Sequence, residues 1–576
     1  MPALFSLVVL SVTLTPIRAT NDAWWHLKAG KVLWERGLRL PEFDLFTWTG
    51  ETTPWHNHEW LAQVVFWGFY RAAEGLGADG LLGLIVGRAL VILAAFLIVL
   101  AIVRRESGSW GWALLWAVVL LAVARRTLYP RPPVFSYLFQ AAFIWMLVFS
   151  RPQRREAGLP NGQKTVGRRR LAVLIGLPAL TALWANLHGG FLIGLVLIGL
   201  LAAAEGLEWI WRRWGAGPAG GGAGPGPAAG HFRRGAQAAG LLGLCAAAAL
   251  LTPFGYHLYL LPARVMSNER LVRVIGELQS PDFHFTHAFE ALLLLAPVGV
   301  AAVRRKAPPV YYLLLWLFFG HQALQHVRHL PVFAIAAAPL IGWVGGGLRQ
   351  SLVERKEGCA GAGSPRFLVA FEVLCLAAFA LASVFLLTDR REGGRSFLDR
   401  NRALLAGGQM FEDTGYPKDA CDFILAHEFT GRMYNQINNA GYLIWRLSPE
   451  HHKVFTDSRF DIWGDRFVWD ADAIKDGSAS VKQIKGRWVR TPWWDLLDQY
   501  QINFIVIGAG EGLNDALRER GGWALVYAGA DNIWVRDVPH NAALIRQARA
   551  TFRAMTGVDL AAVSTAPAPG SGNAGP

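Results

Sequence analysis

Residues 80–105 read GLLGLIVGRALVILAAFLIVLAIVRR, an apolar run that closes on two arginines. A hydrocarbon core about 30 Å thick takes roughly 20 apolar residues of helix, so this stretch reads as a membrane span with a basic end. Further candidate spans flank it at 3–17, 109–124, 134–150, 171–187, 190–211, 236–252, 287–303, 310–322, 330–348 and 366–388. The expected fold class is a polytopic α-helical membrane protein with about 11 transmembrane helices. Composition agrees: of 576 residues, 53% are hydrophobic and 17% charged, and the mean hydropathy is +0.28. A water-soluble chain carries about 25% charged residues. Disordered, collagen-like and small disulfide-stapled chains are excluded, and a multi-domain cytosolic enzyme is disfavoured.

The net charge is +14, and its placement decides its meaning. The basic residues fall in short runs between apolar segments: Arg104-Arg105, Arg151 to Arg170, Arg212-Arg213, Arg233-Arg234, Arg304 to Lys306 and Arg349 to Lys356. Cytoplasmic loops retain Lys and Arg, and with Arg104-Arg105 inside, every later run falls inside as the spans alternate. The N-terminus is then cytoplasmic and the C-terminus outside. A nucleic-acid binder would instead gather its cations on one soluble face, so no nucleic-acid partner is expected; membrane lipids are. The first segment lacks a basic n-region and reads as a retained helix rather than a cleaved signal. Cys245, Cys359, Cys375 and Cys421 form neither a disulfide framework nor a zinc spacing.

The domain expectation is a transmembrane part over 1–388, with a first outer loop at 18–79 and a flexible Gly/Pro/Ala linker on the cytoplasmic side at 215–230. From Asp389 the composition turns mixed and globular, so 389–562 reads as a soluble α/β domain on the outer face, and 563–576 as a disordered tail. Lys453 to Thr456 and Phe504 to Ile507 read as strands, and Trp523 to Tyr527 with Ile533 to Arg536 as a hairpin.

The outer loops carry the candidate chemistry. The first opens Asn21-Asp22-Ala23-Trp24-Trp25-His26-Leu27. Asp22 and His26, four apart, share a helical face, and the tryptophans suit a helix lying in the membrane interface. Glu42-Phe43-Asp44 follows, then His56-Asn57-His58-Glu59, which can be drawn as a metal site or as the cap of a helix running through Tyr70. The second outer loop, Arg125-Arg126-Thr127-Leu128-Tyr129-Pro130-Arg131, breaks the positive-inside pattern. An anionic partner such as phosphate would compensate, since guanidinium forks match phosphate oxygens; snorkelling to headgroups is the alternative. Asn186 and His188 stand in a tight reversal closed by Gly189-Gly190. Glu277 follows in the fourth loop and His326-Val327-Arg328-His329 in the fifth, where an Arg between two His suits an anion or a solvated helix end.

Taken in order, Asp22 after the first span, His58-Glu59-Trp60-Leu61, Trp184-Ala185-Asn186-Leu187-His188-Gly189-Gly190 and the Glu277 loop resemble bacterial membrane proteins of the GT-C glycosyltransferase superfamily. The segments Asn439-Ala440-Gly441-Tyr442-Leu443-Ile444-Trp445 and Val454-Phe455-Thr456-Asp457-Ser458-Arg459 are similar to the tail of the same branch. The resemblance implies an enzyme of the bacterial inner membrane. It would move a sugar, with inversion, from a polyprenyl-phosphate donor to an extracytoplasmic glycan, lipid or protein acceptor. It also implies that the first outer loop holds the catalytic carboxylate, matched here by Asp22, with His26, Asp44 and Glu59 as partners. Arg125, Arg126, Arg131, His188, Arg328 and His329 would bind the donor phosphate, and His56, His58, Asn186, Glu277 and His326 would line the cavity. No Asp-x-Asp pair stands in the first outer loop, so no cofactor is firmly expected and a divalent cation stays an open alternative. A transporter or lipid flippase, or a non-catalytic assembly scaffold, are the rival readings; ionisable residues gathered at outer span ends, with no internal repeat, speak against a transporter.

Overall fold

A computed structural model describes residues 1–17, 21–149, 162–215, 227–266, 275–284, 286–303, 307–354, 366–390, 394–408, 410–411, 415–459, 462, 465–484 and 487–563. The basic runs at 151–161 and 304–306, Cys359, linker residues 216–226 and the tail from 564 lie outside the described residues. The chain folds as two compact units. One holds Met1–Ile17, His58–Pro262 and Leu271–Met410; the other holds Arg18–Asn57, Ala263–Arg270 and Phe411–Pro576. The first outer loop is thus divided, and its part up to Asn57 folds with the C-terminal part of the chain.

The first unit is helical, and each candidate span lies on a helix. Among the described residues, five helices are long and apolar enough to cross a membrane: Gly80–Ser107, Trp110–Thr127, Phe191–Trp214, Val327–Leu352 and Arg366–Thr388. Pro2–Thr13, Pro133–Phe149, Leu171–Leu187 and His287–Ala302 are apolar but shorter. Among the described residues five helices thus satisfy length and apolarity together, and the expected count of about 11 is not confirmed. Glycine lets the helices approach closely. A Cβ on Gly342 or Gly346 would fall 2.6 Å from Glu106, and one on Gly345 would fall 2.4 Å from the Trp112 ring. The helix end at Thr13 leaves carbonyls without intrahelical partners. Arg88, buried inside Gly80–Ser107, donates to the carbonyls of Thr13 and Thr15 and satisfies them.

The second unit carries a four-stranded mixed sheet. Its strands are β1 (Arg432–Asn435), β4 (Ile502–Gly508), β5 (Trp523–Tyr527) and β6 (Asp531–Arg536), in the order β1-β4-β6-β5; β2 (Ala479–Ile484) and β3 (Arg487–Pro492) pair separately. β1 runs parallel to β4, while β4/β6 and β5/β6 are antiparallel, so the expected hairpin forms. Phe504, Ile505, Val506 and Ile507 are all buried because both faces of β4 are covered, which is why the strand reads as a continuous apolar run. Lys453 to Thr456 is not a strand: Val454 makes one isolated bridge to Thr47.

The helix Asn21–Glu35 belongs to this unit and packs on Ile437–Leu447. Trp24 is buried, edge-on to Phe411, Tyr416 and Tyr442. The tryptophans expected to seek the membrane interface are buried in protein instead, because an aromatic pocket offers the ring the same escape from water. Trp34, on the same helix, remains exposed.

Candidate functional site

In the first unit the prolines at 130, 132 and 133 end one helix and open the next, Pro133–Phe149, and the turn between them places Arg131. Arg131 donates to the Glu277 carboxylate, which stands on the short turn Gly276–Leu278. That turn is stitched to the fifth-loop motif: His326 Nδ1 donates to the Leu278 carbonyl at 2.7 Å, and Val327 N–H donates to Gln279 O at 2.9 Å. Arg328 consequently lies within Coulombic reach of both Glu277 and Arg131, and the His329 ring centroid is 5.4 Å from that of His326. Two guanidinium groups and one carboxylate meet here, a net positive cluster suited to an anion.

The other arginines of the loop are placed differently. Arg125 pairs with Asp389 at 2.8 Å, both side chains being largely enclosed, so its charge is already answered. Arg126 lines a cavity of about 250 Å³ together with Thr286, His287, Phe289, Leu330 and Phe385.

A third group forms around the reversal at Gly189-Gly190. His188 Nε2 lies 3.5 Å from Glu59 Oε1, and His58 Nε2 lies 3.9 Å from the same oxygen. Ser136 Oγ is 2.7 Å from His188 Nδ1. Asn186 accepts from Trp60 Nε1 at 3.1 Å and donates to the carbonyls of Ala182 and Leu251, so it ties segments together. The helix after Glu59 runs Trp60–Gly75 with Glu59 at its N-cap position and no side-chain cap; the expected cap by Asn57 or His58 does not form.

In the second unit the half-buried Asp22 accepts the Ser458 hydroxyl at 2.5 Å, and Trp25 Nε1 reaches Ser458 Oγ at 3.2 Å. Next to Ser458 stand Asp457 and Arg459. Arg459 donates to Asp44 Oδ1 at 2.7 Å and to both oxygens of Asp457, at 3.1 Å from Nε to Oδ1 and 2.5 Å from Nη2 to Oδ2. Its guanidinium is caged by the Trp25, Phe46 and Trp55 rings at 5.7, 5.2 and 4.7 Å. Burial would raise the Asp44 carboxyl, but Arg459, Thr47 and the Phe46 N–H hold it below the usual range. For Asp457 burial prevails over Arg459, with Asp44 adding to it, and the carboxyl is pushed up. Burial would lower Arg459, but the two carboxylates raise it. Asp44 thus has both oxygens engaged and no exposed surface on its side chain. It reads as a structural carboxylate rather than the catalytic partner expected, because no substrate can reach it. His26 is buried as well, 3.6 Å centroid to centroid from Trp25, and Lys28 pairs with Glu450.

No protein-family model matches the chain, and no curated protein matches it in sequence. Its likeness is to solved structures. The oligosaccharyltransferase of Archaeoglobus fulgidus, tethered to an acceptor peptide containing the NVT sequon, matches with a TM-score of 0.50 and 12% identity over 93% of this chain and 74% of that one. AglB, the oligosaccharyltransferase from the same organism in complex with an inhibitory peptide and a dolichol-phosphate, matches with a TM-score of 0.51 and 11% identity over 94% and 74%. This chain has the GT-C fold. ArnT from Cupriavidus metallidurans, bound to undecaprenyl phosphate, aligns over 93% of this chain and 98% of that one, at 15% identity and a TM-score of 0.49.

Within its GT-C fold the chain brings Arg131, Glu277, His326, Arg328 and His329 together, and separately His58, Glu59 and His188. Asp22, His26, Asp44 and the half-buried His56 belong to the other unit. Among the described residues, no group of three or more His, Cys, Asp or Glu is arranged to hold a metal ion. Ser136, Ser458 and Arg459 escaped the sequence reading as site residues. A hydroxyl inside the apolar run 133–149 was the available signal for Ser136, since polar groups in spans are seldom idle.

Proposed function

We propose that this protein is a membrane glycosyltransferase that moves a sugar from a polyprenyl-phosphate donor to an extracytoplasmic acceptor, with inversion. The single observation that carries the reading is the meeting of Arg131, Arg328 and Glu277 within the helical unit of a GT-C fold. The likeness to AglB, solved with a dolichol-phosphate, supports a polyprenyl-phosphate donor class. The chemistry asks little more of the protein. The acceptor oxygen attacks the anomeric carbon, the bond from that carbon to the phosphate oxygen breaks, and the phosphate leaves with the electron pair. Arg131 and Arg328 stabilise the charge that grows on the phosphate as that bond opens. Asp22 is the general base the sequence offers for the acceptor hydroxyl, and within the helical unit Arg126 contributes a further cation towards the donor. The basic loops support a cytoplasmic N-terminus and an extracytoplasmic second unit, in a bacterial inner membrane.

The test is transfer in proteoliposomes supplied with defined polyprenyl-phosphate sugars. Losing a charged hydrogen-bond partner costs about 1.5–3 kcal/mol, so Arg131→Ala and Arg328→Ala should each lower kcat/KM for the donor by about 10- to 150-fold. Unchanged donor kinetics in both variants would refute the reading. Movement of intact lipid-linked sugar across the bilayer, with no new glycosidic bond, would support transport in its place.

A further inference from the structure

Ser136 lies on the helix Pro133–Phe149 with 2% exposure, and its hydroxyl faces the side chain of the reversal between the next two helices. His188 Nδ1 there receives the Gly190 backbone N–H at 3.0 Å and lies 2.7 Å from Ser136 Oγ. A ring nitrogen that accepts a backbone N–H carries no hydrogen, so the ring hydrogen sits on Nε2. Trp184 Nε1 donates to the Ser136 oxygen at 2.7 Å and occupies one of its lone pairs, which directs the hydroxyl hydrogen to Nδ1. Nε2 in turn faces Glu59 Oε1 at 3.5 Å. The direction of donation is therefore set step by step: Trp184 to Ser136, Ser136 to His188, His188 towards Glu59. All four residues belong to the first unit. Gly190 is part of the device, since a Cβ there would stand 2.3 Å from Ser136 Oγ and 2.7 Å from His188 Nδ1.

Serine, histidine and a carboxylate in line suggest a hydrolytic triad, and two features exclude it. The Ser136 oxygen is enclosed and already accepts from Trp184, so it cannot reach a substrate carbonyl. The nitrogen that would take its proton is already shared with the Gly190 amide.

Resting on the function proposed above, we propose that Ser136 is a positioning residue: with the Gly190 amide it sets His188 as an Nε2–H donor to an anionic oxygen. That oxygen is the Glu59 carboxylate, 3.5 Å away. His188 thus holds the Glu59 carboxylate and takes no proton from the acceptor.

The ring is read directly by ¹⁵N NMR of the full chain labelled at histidine, with His188→Gln used to assign the signal. The expected spectrum has an unprotonated Nδ1 and a protonated Nε2; hydrogen on Nδ1 would overturn the proposal. Ser136→Ala paired with Trp184→Phe removes the hydroxyl without leaving an orphan indole N–H. The Gly190 amide still donates to Nδ1, so Nε2–H should stay the major form, but a minor Nδ1–H form should appear and transfer should fall about tenfold, the worth of one hydrogen bond of ordinary strength. A pure Nε2–H ring in that variant would remove Ser136 from the device. Ser136→Thr, which keeps the hydroxyl, should restore the wild-type ring signal. In turnover, His188→Gln keeps an amide N–H near the Nε2 position and should stay within about tenfold of wild type, whereas His188→Leu should fall at least about a hundredfold. Equal loss in both would overturn the donor role. The ring signal needs no turnover, so a protein with the expected tautomer and no sugar transfer would refute the function and not the positioning.

Discussion

Replacing Arg459 by Leu removes the cation that two enclosed carboxylates share. The Asp44, Asp457 and Arg459 side chains are exposed by 2% or less, and Arg459 supplies hydrogen bonds to both acids. Breaking a buried pair by deleting one partner costs about 3–5 kcal/mol, because an uncompensated charge is left behind. The cost depends on pH with a definite sign. In the wild type, Asp44 is held below its usual range, so its stabilisation is present at neutral pH and is lost as pH falls through its folded value. Without Arg459, only burial and mutual repulsion act on the two acids, and both move up. A raised carboxyl stabilises only while protonated, so the variant is harmed least in acid and most as pH rises past the shifted values. The reporter is Cys421, fully buried in the same unit, whose thiol burial pushes well above its ordinary range. Pulsed alkylation of the full chain in nanodiscs, localised to Cys421 by mass spectrometry, follows the opening of this unit. At neutral pH the labelling rate should rise about 10²- to 10⁴-fold, which is 3–5 kcal/mol at about 1.4 kcal/mol per decade. A rise below tenfold, or a larger effect at pH 4 than at pH 7, would refute the reasoning.

Asp22→Asn should abolish transfer while leaving protein level and Cys421 labelling unchanged; full product from that variant would remove Asp22 as the base. Gly346→Val places side-chain atoms where a single Cβ already falls 2.6 Å from the Glu106 carbonyl. Overpacking of this kind costs about 1–3 kcal/mol and should lower the yield of monodisperse protein on gel filtration, whereas Val373→Ala on the exposed side of another span should not. A cysteine at the exposed Trp488 should react with an impermeant reagent from outside intact cells, and one at Trp214 only after lysis. The opposite pattern would reverse the topology drawn from the basic loops.

Much of the fold was legible because each part of it has a local cause. Long apolar runs ending in arginine made helices, and alternating apolar segments around Ala528 to Asn532 made the β5/β6 hairpin. Lys453 to Thr456 misled, since β-branched and aromatic residues there are buried by neighbours from residues 46–49 and not by a ladder. The site was legible in its ingredients. Arg131, Glu277 and Arg328 could each be singled out, but their meeting depends on the turn Gly276–Leu278 bonding to residues 326 and 327, a pairing with no signature in either segment. Asp44 was expected beside Asp22 as a catalytic partner, and the cation that locks it, Arg459, stands 415 positions away with no signature in the segment around Asp44.

Amino-acid order alone determined that this chain belongs with a membrane, where its helices run and which loops carry cations, because hydrophobic transfer and helix length are properties of short stretches. Tertiary structure decided that residues 21–57 fold with the C-terminal sheet, that Asp44 is locked by Arg459 while Asp22 meets Ser458, and that Ser136 faces Nδ1 of His188. Those outcomes rest on hydrogen bonds between groups far apart in the chain, and such bonds exist only once burial has brought the groups together and taken away water as the competing partner.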